Sequence, residues 1–258
     1  MTQDFFIDPP TESETSSLLA HAIEFRRRLV LSMLAILVGF IVCFIFAQEL
    51  YGFLVKPLAD VTGGDGHRMI YTGLTEAFIT YIRLALWGGF ILAIPVIAAQ
   101  VWLYVAPGLY ASEKKAFLPF LIATPLLFFL GAAMAYYIVF PVAWKFFLSF
   151  EVIGGAGSLP IQMEARVSEY LSLAMTIIFA FGLSFEMPVA LILLAHAGLV
   201  SAAKLASFRR FAIVLIFVAA AVLTPPDVFS QIALALPMLL LYEISILGAR
   251  WVEKNRGT

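Results

Sequence analysis

Apolar residues run through this sequence in six long stretches set apart by polar breaks, roughly Leu29–Ala47, Ile79–Val105, Phe117–Phe140, Leu171–Ala197, Phe211–Leu223 and Val228–Leu247. Several approach or exceed about 18 residues, enough for a helix to cross a hydrocarbon layer about 30 Å thick. The short alternating segments of a β-barrel are missing. The pattern predicts an all-α polytopic membrane protein of six transmembrane helices. A polar tail (1–17) precedes the helical domain (18–251), and a short tail (252–258) follows it. Two spans depart from the norm. Only 14 residues separate Arg210 from Pro225, about 20 Å of helix at 1.5 Å per residue, so the bilayer is expected to thin there. The sixth run is expected to break at Pro237. Prolines at 95, 119, 125 and 188 predict kinks elsewhere, favouring a concave, cup-like arrangement over a straight bundle.

Composition removes the soluble alternative: 62% of residues are hydrophobic, 13% charged, and the mean hydropathy is +0.99, against about a quarter charged in soluble domains. Net charge, −1, says little; its distribution says more. Arg26, Arg27, Arg28, Lys114, Lys115, Lys204, Arg209, Arg210, Arg250, Lys254 and Arg256 fall on one side of the predicted spans. Lys56, Arg68, Arg83, Lys145 and Arg166 fall on the other. Basic residues stay on the cytoplasmic side, so both termini are expected there. Two sizeable outer loops, near Gln48–Phe78 and Pro141–Tyr170, and the tight turn "TPPD" complete the opposite side. The opening "MTQDFFIDPPTESETSS" lacks an apolar core, so the first span reads as a retained anchor rather than a signal peptide. With one cysteine, Cys43, no intrachain disulfide forms.

Four polar constellations stand out. In "HAIEFRRRL", His21, Glu24 and Arg28 share a helical face, and Glu24 to Arg28 has the favourable i,i+4 order. This is either an anchor with a surface ion pair or a carboxylate offered to a cationic ligand. In "LYASEKKAF", Ser112 is an expected N-cap and Glu113 a first-turn acid. Capping explains both, yet Glu24 and Glu113 together would also suit paired guanidinium groups. Glu186 sits near the middle of the fourth run with no Lys or Arg at its depth. It is therefore neutral, wetted or matched by another chain. In "LTPPDVFSQ", Pro225 and Pro226 force a turn and Asp227 opens the last span. Glu243 either snorkels or faces the concavity. No G-x-x-x-x-G-K-[ST] loop occurs, and three scattered histidines with one cysteine make no metal cluster. No enzyme, cofactor, metal or nucleic-acid reading survives.

The motifs "HAIEFRRRL", "FLVKPL", "PVIAAQVWLYVAPGLYASEKK", "FGLSFEMPVAL" and "VLTPPDVFSQ", in this order, resemble the TatC family from about Leu18 to Trp251. That family is the multispanning receptor subunit of the twin-arginine protein translocase. The resemblance implies a bacterial inner (plasma) membrane location, and six kinked helices with both termini in the cytoplasm and short fifth and sixth spans. It implies binding of twin-arginine signal peptides of folded cargo, assembly with TatA- and TatB-type single-span subunits, self-association in a larger complex, and export driven by the proton-motive force. By motif match, Glu24, Glu113, Arg26 and Tyr104 belong to signal-peptide recognition. Glu186 is the intramembrane acid where partner subunits dock, and Gln231 is placed with it. Pro57 and the Pro225-Pro226-Asp227 motif belong to the outer side. "HAIEF" replaces the usual His-Leu-x-Glu-Leu, and Lys114-Lys115 stand where relatives often carry arginine. The alternative of another class is a proton-coupled secondary transporter using Glu186; it calls for related halves, which the three hairpins do not show.

Overall fold

The computed structural model describes residues 12–63, 68–105, 111–152, 159, 161–223 and 228–256, with the side chains of 12–20, 105, 111–118, 229 and 255–256 left aside. Its elements are α1 (Glu12–Ile45), α2 (Ala47–Thr62), α3 (Glu76–Val105), α4 (Ala111–Met134), a π-helical turn (Ala135–Val139), α5 (Phe140–Leu148), α6 (Val167–Phe185), α7 (Met187–His196), α8 (Ala202–Ser207), α9 (Arg209–Leu223) and α10 (Val228–Arg256). Two isolated bridges, Ile70 with Arg166 and Val152 with Ile161, are the only extended pairing among the described residues. Five of the predicted runs appear as helices long and apolar enough to cross a bilayer. The remaining one, the fifth run, is α9 with 15 residues, about 22 Å of helix, and is too short to count with them.

Proline acts differently from place to place. Pro188 separates α6 from α7, with Glu186 at the junction. The π turn stands just before Pro141, which has no N–H to donate to a regular ladder. Pro237, by contrast, does not break the last helix: α10 runs unbroken from Val228 to Arg256. One lost hydrogen bond bends a long helix packed on its neighbours without ending it. The segment expected as the first outer loop is largely helix, and Pro57 lies buried inside α2. The carbonyl that Pro57 leaves without a helical donor belongs to Phe53. The Tyr136 hydroxyl donates to it at 2.7 Å, so the cost is met from a helix 83 residues away.

Helices meet through small residues. A Cβ placed on Gly89 of α3 would lie 2.4 Å from the Phe40 nitrogen, and one on Gly39 of α1 2.6 Å from the Gly89 carbonyl oxygen. Between α4 and α6, Gly131 approaches the Phe181 carbonyl and Gly182 receives the Phe128 ring. Such contacts replace the hydrophobic drive that helices lack within lipid. Gly89→Ala is expected to cost about 1–3 kcal/mol by overpacking, read as a lower melting temperature in detergent. Gly52→Ala, with nothing within 4 Å of the added atom, is its control. If both variants melt with the parent, the close approach does not hold the pair together.

The core lies where α4 to α7 and α10 converge, around Phe140, Phe181, Leu171, Ile177, Leu234 and Ile246. Helix α1 packs chiefly on α3 and leaves Val30, Leu34, Leu37, Ile41 and Ile45 exposed, an outer face that suits acyl chains. The chain is an integral membrane protein.

At the end opposite Arg26–Arg28, one carboxylate joins two loops. Glu76 Oε2 accepts from the Thr72 and Gly73 backbone N–H groups at 2.9 and 3.1 Å and from Arg166 at 3.3 Å. Its Oε1 accepts from the Ser168 hydroxyl. Ile70 donates to Ala165 and receives from Val167 alongside. The hydrogen bond and charge of Glu76 hold Arg166 above the usual guanidinium range, so it stays cationic. Glu76→Gln turns one acceptor oxygen into an amide NH2 and removes the charge facing Arg166, so the junction of the two loops is expected to loosen. The check is hydrogen exchange, which should quicken at Ile70 and Val167. Unchanged protection would show that the bridge stands without the carboxylate.

Candidate functional site

Two places gather the polar residues singled out in the sequence. The first is the end of the α1–α3 pair that carries Arg26–Arg28. On α1, positions 21, 24, 25 and 28 recur at helical spacing and share one side. On α3, Gln100 and Tyr104 stand one turn apart and meet them. Because the two helices run antiparallel, Arg28 falls opposite Gln100, while His21 and Phe25 fall opposite Tyr104. The Arg28 Nη1 donates to Gln100 Oε1 at 3.2 Å, and Nη2 donates to Glu24 Oε1 at 3.0 Å. The Tyr104 ring lies 5.5 Å from the rings of both His21 and Phe25. Glu24 keeps 30% of its side-chain surface and Arg28 24%. The ion pair is thus half sheltered, where charges are screened less than in open water.

The structure therefore brings Glu24 and Tyr104 to the same seam. Arg26 is exposed and, two residues on from Glu24, leaves α1 on the other side. Ser112 and Glu113 fall in the first turn of α4, which begins at Ala111. Ser112 therefore lies inside the helix and is not its N-cap. The Glu113 side chain lies outside the described residues. So do Pro225, Pro226 and Asp227.

The second place is the α6–α7 junction. Glu186 opens into a groove of about 500 Å³ between α3, α4 and α6, lined by Phe90, Ile97, Trp102, Phe128, Phe179 and Leu183 among others. Thr124 of α4 is the hydrogen-bonding neighbour of the carboxyl. Its Oε1 is buried and makes no hydrogen bond. Among the described residues no Lys or Arg lines the groove, and Glu186 is its one ionisable side chain. This is the unmatched acid that the sequence census of basic residues anticipates. Gln231 does not join it. Its amide donates to the Phe217 carbonyl at 3.1 Å and ties α10 to α9, so the two residues placed together in the sequence reading form separate features.

Other polar contacts were not legible in the motifs. Glu243 is paired: Arg209 grips it with Nε at 2.7 Å and Nη2 at 2.8 Å, fixing the start of α9 against α10. Glu253 accepts from the Ala202 backbone at 2.6 Å and anchors α8. The Arg28–Gln100 contact carried no local signal, since its partners lie 72 residues apart. Glu76 did: an acid in the first turn of α3 reaches back to the Gly73 N–H.

Comparison with known proteins gives a consistent result. Residues 20–237 match the family described as Sec-independent protein translocase protein (TatC). A Sec-independent protein translocase protein TatC of Magnetococcus marinus is 49% identical over 244 residues, 95% of this chain and 88% of that one. That of Escherichia coli (strain K12) is 39% identical over 245 residues, 95% and 92% of the two chains. A crystal structure described as the twin arginine translocase receptor TatC superposes with a TM-score of 0.77 at 39% identity, covering 90% of this chain and 99% of that one.

Proposed function

The chain belongs to the TatC family of Sec-independent protein translocases, and from that premise we propose that it is the signal-peptide receptor and organising subunit of its translocase. It works as a component of a protein translocase, a transport role rather than catalysis. In this reading Glu24 and Glu113, with Tyr104 beside Glu24 and Arg26 nearby, take the paired guanidinium groups of a twin-arginine signal peptide on the cytoplasmic face. Both termini lie in the cytoplasm and the protein resides in the bacterial inner membrane.

The observation that carries the reading is Glu24. It is a half-sheltered carboxylate on an aromatic-flanked seam, and it already accepts a guanidinium N–H at 3.0 Å. Carboxylate is the natural acceptor for a planar, permanently charged fork, and an aromatic ring next to it offers a face for stacking. Glu186 has a different task. An acid in an apolar groove without an internal cation is half of a polar contact, completed by a polar group on a TatA- or TatB-type single-span helix. The short α9 supports a locally thinned bilayer, which lowers the barrier for passage of a folded cargo driven by the proton-motive force. In this reading α9 is the fifth of six spans and α10 the sixth. Binding of a twin-arginine peptide by the double variant Glu24→Lys, Glu113→Lys is the test.

A further inference from the structure

Arg28 occupies the place at Glu24 that a ligand guanidinium needs. Among the described residues its two terminal nitrogens are divided between Glu24 and Gln100, one hydrogen bond each, while its Nε is buried without a partner. The Arg28 contact on Glu24 uses one nitrogen and one carboxylate oxygen. Arg209 and Glu243 form the opposite kind of pair in the same chain, two parallel bonds of 2.7 and 2.8 Å. The parallel fork is the stronger arrangement. The Arg28–Glu24 pair is therefore the weaker of the two, and Gln100 gives Arg28 a second anchor that holds when Glu24 is taken away.

We propose that Arg28 is a built-in competitor: it neutralises Glu24 while the site is empty and yields the carboxylate to an incoming guanidinium, retaining Gln100. The proposal rests on Glu24 being a signal-peptide ligand. Its consequence is a threshold. Every cationic ligand must displace an internal cation, so weak single-charge ligands stay off, and one that also engages a second acid pays the exchange and remains. Gln100 sets the height of that threshold, because it decides how costly release of Glu24 is for Arg28.

The experiment uses the purified full chain in detergent and a labelled peptide containing an Arg-Arg pair, with fluorescence anisotropy as readout. Arg28→Gln and Arg28→Met, the latter keeping the aliphatic stem, are expected to bind about two- to fivefold tighter, the range a half-sheltered ion pair supports. Arg27→Gln removes the same charge from the neighbouring exposed position and is expected to have a smaller effect. Gln100→Leu is expected to weaken binding in the parent chain and to change nothing in the Arg28→Gln background. Competition is overturned if Arg28→Gln and Arg28→Met both bind no tighter than Arg27→Gln. It is equally overturned if Gln100→Leu weakens binding as much without Arg28 as with it, since Gln100 would then touch the ligand itself. A parent chain whose peptide binding is indifferent to Glu24→Gln overturns the receptor reading and the competitor with it. Glu24-dependent binding that ignores Arg28 removes the competitor alone.

Discussion

A chain carrying Glu24→Lys and Glu113→Lys is expected to lose binding of a twin-arginine peptide, by more than about 100-fold, while remaining folded. A hydrogen bond to a charged group contributes about 1.5–3 kcal/mol, and two are removed. Each lysine then faces an arriving guanidinium with its own charge, which adds repulsion. The fold stands to lose little: Glu24 spends its carboxylate on Arg28 four residues away on the same helix, and pairs at that spacing contribute a few tenths of a kcal/mol. The seam between α1 and α3 is held by Gly39 and Gly89, which the substitutions leave alone. Peptide binding and thermal melting are measured on the same preparation. Parent-like affinity in the double variant sinks the receptor assignment; a collapsed melting transition calls instead for Glu24→Gln and Glu113→Gln, which keep the volume and should still bind at least tenfold more weakly.

The second large effect is expected at Glu186. Glu186→Ala should reduce cross-linking between this chain and a single-span partner about tenfold or more, with peptide binding at the Glu24 end changed less than twofold. The separation follows from geometry, since Glu186 lies at the α6–α7 junction in a groove that, among the described residues, contains none of the Glu24 seam. Stability gives an independent sign. The buried Glu186 Oε1 has no hydrogen bond, and a buried polar atom without a partner is a cost. Removing it should leave the melting temperature unchanged or higher even as assembly fails. Loss of function with gain of stability marks a site held in readiness for a partner. Equal loss of both interactions together with a lower melting temperature would mark Glu186 as structural instead.

These two sites were legible to different degrees. Glu186 could be found in the sequence because an acid inside a long apolar run is conspicuous, and the missing cation could be counted. Glu24 could be found by its motif and by its spacing from Arg28. That Arg28 also reaches Gln100, and that Tyr104 meets His21 and Phe25, depends on the register of α1 against α3. Glycines at 39 and 89 set that register, and nothing local to either helix states that they meet. That the Gln231 amide serves the α9 backbone at Phe217 was not legible for the same reason, since its partner stands on another helix.

The sequence by itself determined that this chain is helical, lives in a bilayer and belongs with the translocases. Membrane burial is a property of about 20 consecutive residues against lipid, so it can be read one segment at a time. Only the tertiary structure decided which polar groups find each other. Tyr136 satisfies the carbonyl that Pro57 frees, Glu76 joins loops some 90 residues apart, and Arg28 divides itself between Glu24 and Gln100. In a low-dielectric interior each such group needs a partner within about 3 Å. Distances of that size are fixed by how helices pack and not by where residues stand along the chain.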